Sequence, residues 1–101
     1  MNIKEEIKQA LYEVIDPELG INIVDLGLIY HVYLDDATND ITVHMTLTTP
    51  GCPMASSIKQ GVQLRLEQIK SIGKVTVNIT FEPPWTPGRM SEKGRMMLQQ
   101  R

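Results

Sequence analysis

Thr48-Thr49-Pro50-Gly51-Cys52-Pro53 holds the one cysteine of this 101-residue chain. The run 41–48 before it alternates apolar and polar residues and reads as a strand. After it, Ala55, Ile58, Val62, Leu66 and Ile69 recur at helical spacing. Pro50 and Gly51 turn the chain between the two. Pro53 suits the first position of a helix, where its missing amide costs no hydrogen bond. Cys52 is therefore expected at or near the N-cap. A helix N-terminus favours an anion, so the thiolate, which attacks electrophiles and binds soft metals, gains over the thiol. The plainer alternative is an inert, half-buried thiol packed under the loop.

Other residue types that can do chemistry lie at a distance in sequence. Asp16, Glu18 and Asp25 stand among aliphatic residues in the stretch 16–27. One account has Asp16 and Asp25 capping local backbone amides, as short acidic side chains do. The other turns one or more of the three acids toward Cys52, as hydrogen-bond acceptors or hard metal ligands. Thr48 and Thr49 complete that candidate pocket. Trp85, the one tryptophan, either folds back to close the core or lids the cysteine pocket. Arg89 is either a solvated loop charge or a clamp for an anion near Cys52. His31, His44 and Cys52 could be grouped as a metal set, but His44 falls among outward threonines, where a solvated histidine is the ordinary reading.

Composition narrows the setting for this chemistry. The length suits a single domain over residues 1–101, and 42% hydrophobic with 22% charged residues is ordinary for a globular protein. A net charge of −2 without a basic run argues against a general nucleic-acid surface. No apolar stretch reaches the roughly 20 residues of a membrane span, and Met1 to Glu6 carries charges of both signs rather than a signal peptide's apolar core. With one cysteine there is no internal disulfide. The expectation is a cytoplasmic protein.

The elements that must position these residues follow in order. Asn2 and Glu5 form a capping box for a first helix, with Ile3, Ile7, Ala10, Leu11 and Val14 as its stripe. It should stop near Ile15, because Pro17 disfavours helical geometry at Asp16. Asp16 to Gly20 is a turn and Ile21 to Gly27 an apolar loop or single helical turn. A first strand over 28–34 places Leu28, Tyr30, Val32 and Leu34 on one face and Ile29, His31 and Tyr33 on the other. The polar turn 35–40 makes a hairpin with the second strand, which points Ile41, Val43, Met45 and Leu47 inward and Thr42, His44, Thr46 and Thr48 outward. The helix after Cys52 ends near Gly73, and Val75, Val77, Ile79 and Phe81 mark a third strand. Its pairing partner, the first strand or the second, is left open. Residues 82–90, with three prolines, are expected to be irregular. Ser91 starts a short final helix with Met96, Met97 and Leu98 as its apolar side. The class is α+β: a two-layer sandwich in helix-strand-strand-helix-strand order, with a three-stranded mixed sheet and a short C-terminal helix.

Three segments together resemble one known family. Val14 to Tyr30 (Val-Ile-Asp-Pro-Glu-Leu-Gly-Ile-Asn-Ile-Val-Asp-Leu-Gly-Leu-Ile-Tyr), Thr48 to Pro53, and Pro83 to Glu92 (Pro-Pro-Trp-Thr-Pro-Gly-Arg-Met-Ser-Glu) are similar to the signatures of the SufT and PaaD-like metal–sulfur cluster assembly family. The eukaryotic cytosolic iron–sulfur targeting subunit shares this domain. The resemblance covers nearly the whole chain and implies an α+β fold and a role in iron–sulfur cluster assembly or delivery. It carries the family's reactive cysteine onto Cys52, its acidic loop onto Asp16, Glu18 and Asp25, and its Trp-Thr-Pro segment onto Trp85 to Pro87. PaaD proper has a cysteine-rich metal-binding tail that this sequence lacks, which favours a general assembly factor over specialised oxygenase maturation.

Three functions compete. An assembly factor would work with the iron–sulfur machinery and apo-protein clients. Clusters usually take four protein ligands, mostly thiolates, so one cysteine per chain implies no stably bound cofactor. Any transient cluster would be shared between two chains, as in a homodimer, or with a partner or small thiols. A thiol enzyme is the second reading, since Thr49-Pro50-Gly51-Cys52 matches the Thr-x-x-Cys of peroxidatic cysteines. Against it, no second cysteine is present to resolve a sulfenic acid, and no histidine base is adjacent in sequence. The third is a non-catalytic interaction module using the threonine-rich strand face and the Pro-Pro-Trp loop. The expectation is the assembly factor, acting as adaptor or transient cluster handler and not as an enzyme.

Overall fold

A computed structural model describes residues 2–48 and 55–100. In it α1 spans Ile3–Tyr12, and the Asn2 side-chain oxygen accepts from the Glu5 amide at 2.9 Å. Ile7, Ala10 and Leu11 are buried, as the stripe requires. The helix ends at Tyr12 rather than near Ile15. Beyond it the backbone finds partners elsewhere: the Asp16 amide donates to Ile21 O at 2.9 Å and the Ile23 amide to Val14 O at 3.0 Å. This short pairing, an isolated antiparallel bridge between Ile15 and Asn22, leaves Ile15 exposed.

Three strands follow in one sheet: β1 (Ile29–Leu34), β2 (Ile41–Met45) and β3 (Val75–Ile79), in the order β1-β2-β3. β1 and β2 form the expected hairpin, its turn held by Asp35 Oδ1 accepting from the Ala37 amide at 2.8 Å. β3 lies parallel to β2, from Ile41↔Val75 to Met45↔Ile79, which settles the open pairing. The connection runs through α2 (Ala55–Glu67). Ile58, Val62, Leu66 and Ile69 are buried and pack with Ile41, Val43, Met45, Leu47, Val75 and Val77 in the single core. The α2 helix stops at Glu67, short of Gly73. The Gln68 and Ile69 amides turn to the carbonyls three residues back, a tightened last turn that still delivers Ile69 to the core. The Gly73 amide has already left the helix and donates to Asn39 O at 2.8 Å. Among the described residues no helix is long and apolar enough to cross a membrane.

Two departures come from the sheet itself. The β1–β2 register shifts between Ile29 and His31, a β-bulge at Tyr30. The strict two-residue alternation of β1 is therefore broken. Ile29 joins Val32 and Leu34 beside α1, while Tyr30 turns its hydroxyl to Pro83 O at 2.8 Å. Thr46, expected outward, is fully buried. β2 has ended at Met45, and the Thr46 amide donates to Leu28 O at 2.8 Å. The Thr46 hydroxyl has no hydrogen-bond partner among the described residues. Burying an unpaired hydroxyl is costly, and valine has nearly the same shape. Thr46→Val is expected to stabilise the protein by about 1 kcal/mol, raising Tm by about 4–8 °C at this chain length. A fall in Tm would show that the hydroxyl has a partner outside the described residues.

The last segment is more regular than its prolines suggest. Pro87–Arg89 forms one 3-10 turn, with Pro87 at its first position. Ser91 then caps α3 (Glu92–Gln99), its Oγ accepting from the Gly94 amide at 2.9 Å. Of the three residues expected on the apolar side of α3, only Met97 packs against the core, while Met96 and Leu98 are exposed. Three consecutive helical residues fan over too wide an arc to share one face. The buried methionine here is Met90, just before the cap.

Candidate functional site

The acidic loop and the Pro-Pro-Trp segment meet at three successive positions. Asp16 does what the local account expects. It is buried, and its Oδ1 accepts from the Glu18 amide at 2.8 Å and the Leu19 amide at 3.2 Å. These bonds fold Pro17 to Gly20 into an Asx turn and leave Glu18 on the surface.

Asp25 behaves otherwise, which corrects the local-cap account for this residue. Asn22 provides the local cap, its Oδ1 accepting from the Asp25 amide at 2.8 Å. The Asp25 carboxylate takes side-chain donors instead: Asn22 Nδ2 at 2.7 Å on Oδ2, and Ser91 Oγ at 2.7 Å on Oδ1. The Asp25 carbonyl also accepts from the Ser91 amide at 2.8 Å. One aspartate thus ties the loop to the first turn of α3 through both backbone and side chain. Burial pushes its carboxyl pKa up. The hydrogen bonds from Asn22 and Ser91 and the charge of Lys93 outweigh that, holding it below the ordinary aspartate value.

One residue further along, the Trp85 indole N–H donates to Leu26 O at 2.7 Å, and the ring packs against the core. The core-closing role therefore describes Trp85. At the next position Gly27 adopts φ +79°, with the Arg89 carbonyl directly against it. The Arg89 guanidinium carbon stands 4.6 Å above the Tyr30 ring, a cation–π contact on the surface. Gly27, Ile29, Tyr30, Pro83 and Arg89 line an open groove of about 430 Å³.

Asp25, Trp85 and Arg89 are therefore gathered into one unit, and Asp16 sits in the turn that leads into it. Thr48 is half-buried at the edge of the described chain. Thr49 and Cys52, with the expected cap at Cys52 and Pro53, lie outside the described residues. His31 and His44 are register partners on β1 and β2 and share Tyr33 as a neighbour, its ring 4.0 Å from His31 and 5.6 Å from His44. Among the described residues no three or more His, Cys, Asp and Glu side chains gather as a metal would need. Sequence reasoning missed Asn22, Gly27, Tyr30 and the second role of Ser91. The Asn22-x-x-Asp25 spacing was a readable signal for the first. The others depend on contacts across the chain.

The chain resembles proteins of one kind. A family model described as iron–sulfur cluster assembly protein matches residues 4–79. A Porphyromonas gingivalis protein named Fe-S protein maturation auxiliary factor is 41% identical over 98 residues, covering 97% of this chain and 92% of the relative. A Staphylococcus aureus protein named Fe-S protein maturation auxiliary factor SufT is 49% identical, covering 84% of this chain and 96% of the relative. Among solved structures, a Bacillus anthracis domain of unknown function superposes with a TM-score of 0.91 at 38% identity, covering 98% of this chain and 93% of that one.

Proposed function

This chain belongs to the iron–sulfur cluster assembly protein family, and on that premise we propose that it is a maturation factor that assists delivery of clusters to apo-proteins. It acts as an adaptor or transient handler through Cys52, without stable carriage and without turnover of a substrate of its own. Its partners are the assembly machinery and the apo-protein clients. The observation that carries this reading is the pair of maturation auxiliary factors at 41% and 49% identity, each aligned over most of both chains.

Physical chemistry limits how the work is done. A cluster needs about four ligands, and the chain has one cysteine. The cluster, as cargo, must therefore draw its remaining ligands from a second chain, a partner or small thiols. A single thiol with no resolving cysteine also suits a reducing compartment, the cytoplasm in this reading. The Asp25–Ser91 and Leu26–Trp85 ties would hold two of the family-like segments together as a rigid platform.

The test is transfer of a cluster from a loaded carrier to an apo [4Fe–4S] enzyme under anaerobic conditions, with and without this protein. Wild type is expected to speed activation of the client, and Cys52→Ser to return it to the unassisted rate. Acceleration undiminished in Cys52→Ser would remove the cysteine from the mechanism. No acceleration, and no capture of assembly proteins from a reducing lysate, would remove the function.

A further inference from the structure

β1 is an edge strand. In the order β1-β2-β3 only one side of it is paired, so alternate amides and carbonyls of Ile29–Leu34 face away from β2. Among the described residues none of them bonds to backbone outside the sheet. Proteins usually blunt such edges with lysine, proline or bulges. Ile29-Tyr30-His31-Val32-Tyr33-Leu34 contains neither lysine nor proline, and beyond the bulge His31 to Leu34 keeps unbroken register with β2. Among the described residues nothing pairs with this edge.

A trough of about 430 Å³ runs beside this edge, between α1 and β1. Its apolar lining is Ile7 and Leu11 of α1, Val24 of the loop, and Ile29, Val32 and Leu34 of the strand; its charged lining is Lys4, Lys8 and Asp36. In a chain of net charge −2 this wall is locally positive. Lys4 and Lys8 stand one turn apart on the same side of α1, both exposed, and neither has an ion-pair partner among the described residues.

These features are independent, and they point to one kind of ligand. Unused backbone groups recognise an extended segment. An apolar trough flanking the strand accepts every second side chain of it. Two free ammonium groups select carboxylates. We propose that β1 and its trough dock an extended acidic segment of a partner protein by strand addition, with alternate apolar side chains over Ile29, Val32 and Leu34 and carboxylates at Lys4 and Lys8. A second copy of this chain is the poorer occupant, because its own β1 brings no acidic residue to those lysines. The inference does not depend on cluster handling or on Cys52.

The probe is a strand-length peptide alternating valine with glutamate, acetylated and amidated, compared with its valine–lysine counterpart. Each is titrated into isotope-labelled protein while amide shifts and hydrogen exchange are followed. The glutamate peptide is expected to shift Ile29–Leu34, to slow exchange at the outer amides of β1, and to bind about tenfold more tightly than the lysine peptide. The double change Lys4→Glu and Lys8→Glu, on exposed helix positions, should reverse that preference while the circular dichroism spectrum stays unchanged. Equal binding of the two peptides, shifts confined to other elements, or no binding would each overturn the proposal. So would β1 protection that rises with protein concentration alone, which would assign the edge to self-pairing.

Discussion

Replacing Gly27 with alanine is expected to destabilise the protein by roughly 4 kcal/mol and lower Tm by roughly 15–30 °C. Two effects add. Gly27 sits at φ +79°, where a side chain costs about 1–2 kcal/mol. A Cβ there would also lie 2.2 Å from the Arg89 carbonyl oxygen and 2.7 Å from its carbon. Those are backbone atoms, so no rotamer change relieves the overlap. The segment carrying Arg89 would have to move, yet it is tied on one side by Trp85 to Leu26 and on the other by Ser91 to Asp25. Gly61 is the control. It lies inside α2, and among the described residues a Cβ there meets only Val14, at 3.9 Å. Gly61→Ala should stabilise the helix by about 0.5–1 kcal/mol. Urea unfolding of both variants separates the cases. A loss below about 1 kcal/mol for Gly27→Ala would mean that the contact between loop and Pro-Pro-Trp segment is not held in solution.

What could be read in the sequence was whatever is local. Asn2 and Glu5 announce α1, the stripe from Ile58 to Ile69 announces α2, and the alternation of Ile41, Val43 and Met45 announces the buried face of β2. Each signal lies within a single element, a few turns of helix or one run of strand, where periodicity acts. The Asx turn at Asp16 was legible for the same reason. The end of α1, the bulge at Tyr30 and the burial of Thr46 were not, because tertiary pairing decides them: Ile23 with Val14, Tyr30 with Pro83, Thr46 with Leu28. Parallel pairing of β3 with β2 has no local signature at all. The candidate site divides along the same line. Residue types and family likeness single out Asp25, Trp85 and Arg89, but the partner of Asp25 is Ser91, 66 positions away. Only the Asn22 half of that arrangement is written in local spacing.

Asp25→Ala is expected to cost roughly 3 kcal/mol at neutral pH, from two hydrogen bonds to a buried carboxylate at about 1.5–3 kcal/mol each, partly recovered by relaxation. The loss should extend into α3. Ser91 Oγ donates to Asp25 and accepts from the Gly94 amide, so the aspartate fixes the hydroxyl in its capping orientation. Ser91→Ala should therefore cost less in the Asp25→Ala background than in the wild type, with a coupling of about 1 kcal/mol or more. The pH dependence has a definite sign. Because Asn22, Ser91 and Lys93 hold the folded carboxyl below its ordinary value despite burial, the unfolded chain takes up the proton first as acid is added. The stabilisation is complete above the ordinary aspartate value, about 4, and is lost as pH falls through the lower value of the folded state. The gap between wild type and Asp25→Ala in urea unfolding should thus stay constant from neutrality to about pH 5 and narrow steadily below pH 4. A gap that keeps its full size to about pH 2 would show that Asp25 does not gain its stability as a carboxylate. The tie between the acidic loop and α3 would then rest on the Ser91 amide and the Asp25 carbonyl, a bond that no side-chain substitution at position 25 removes.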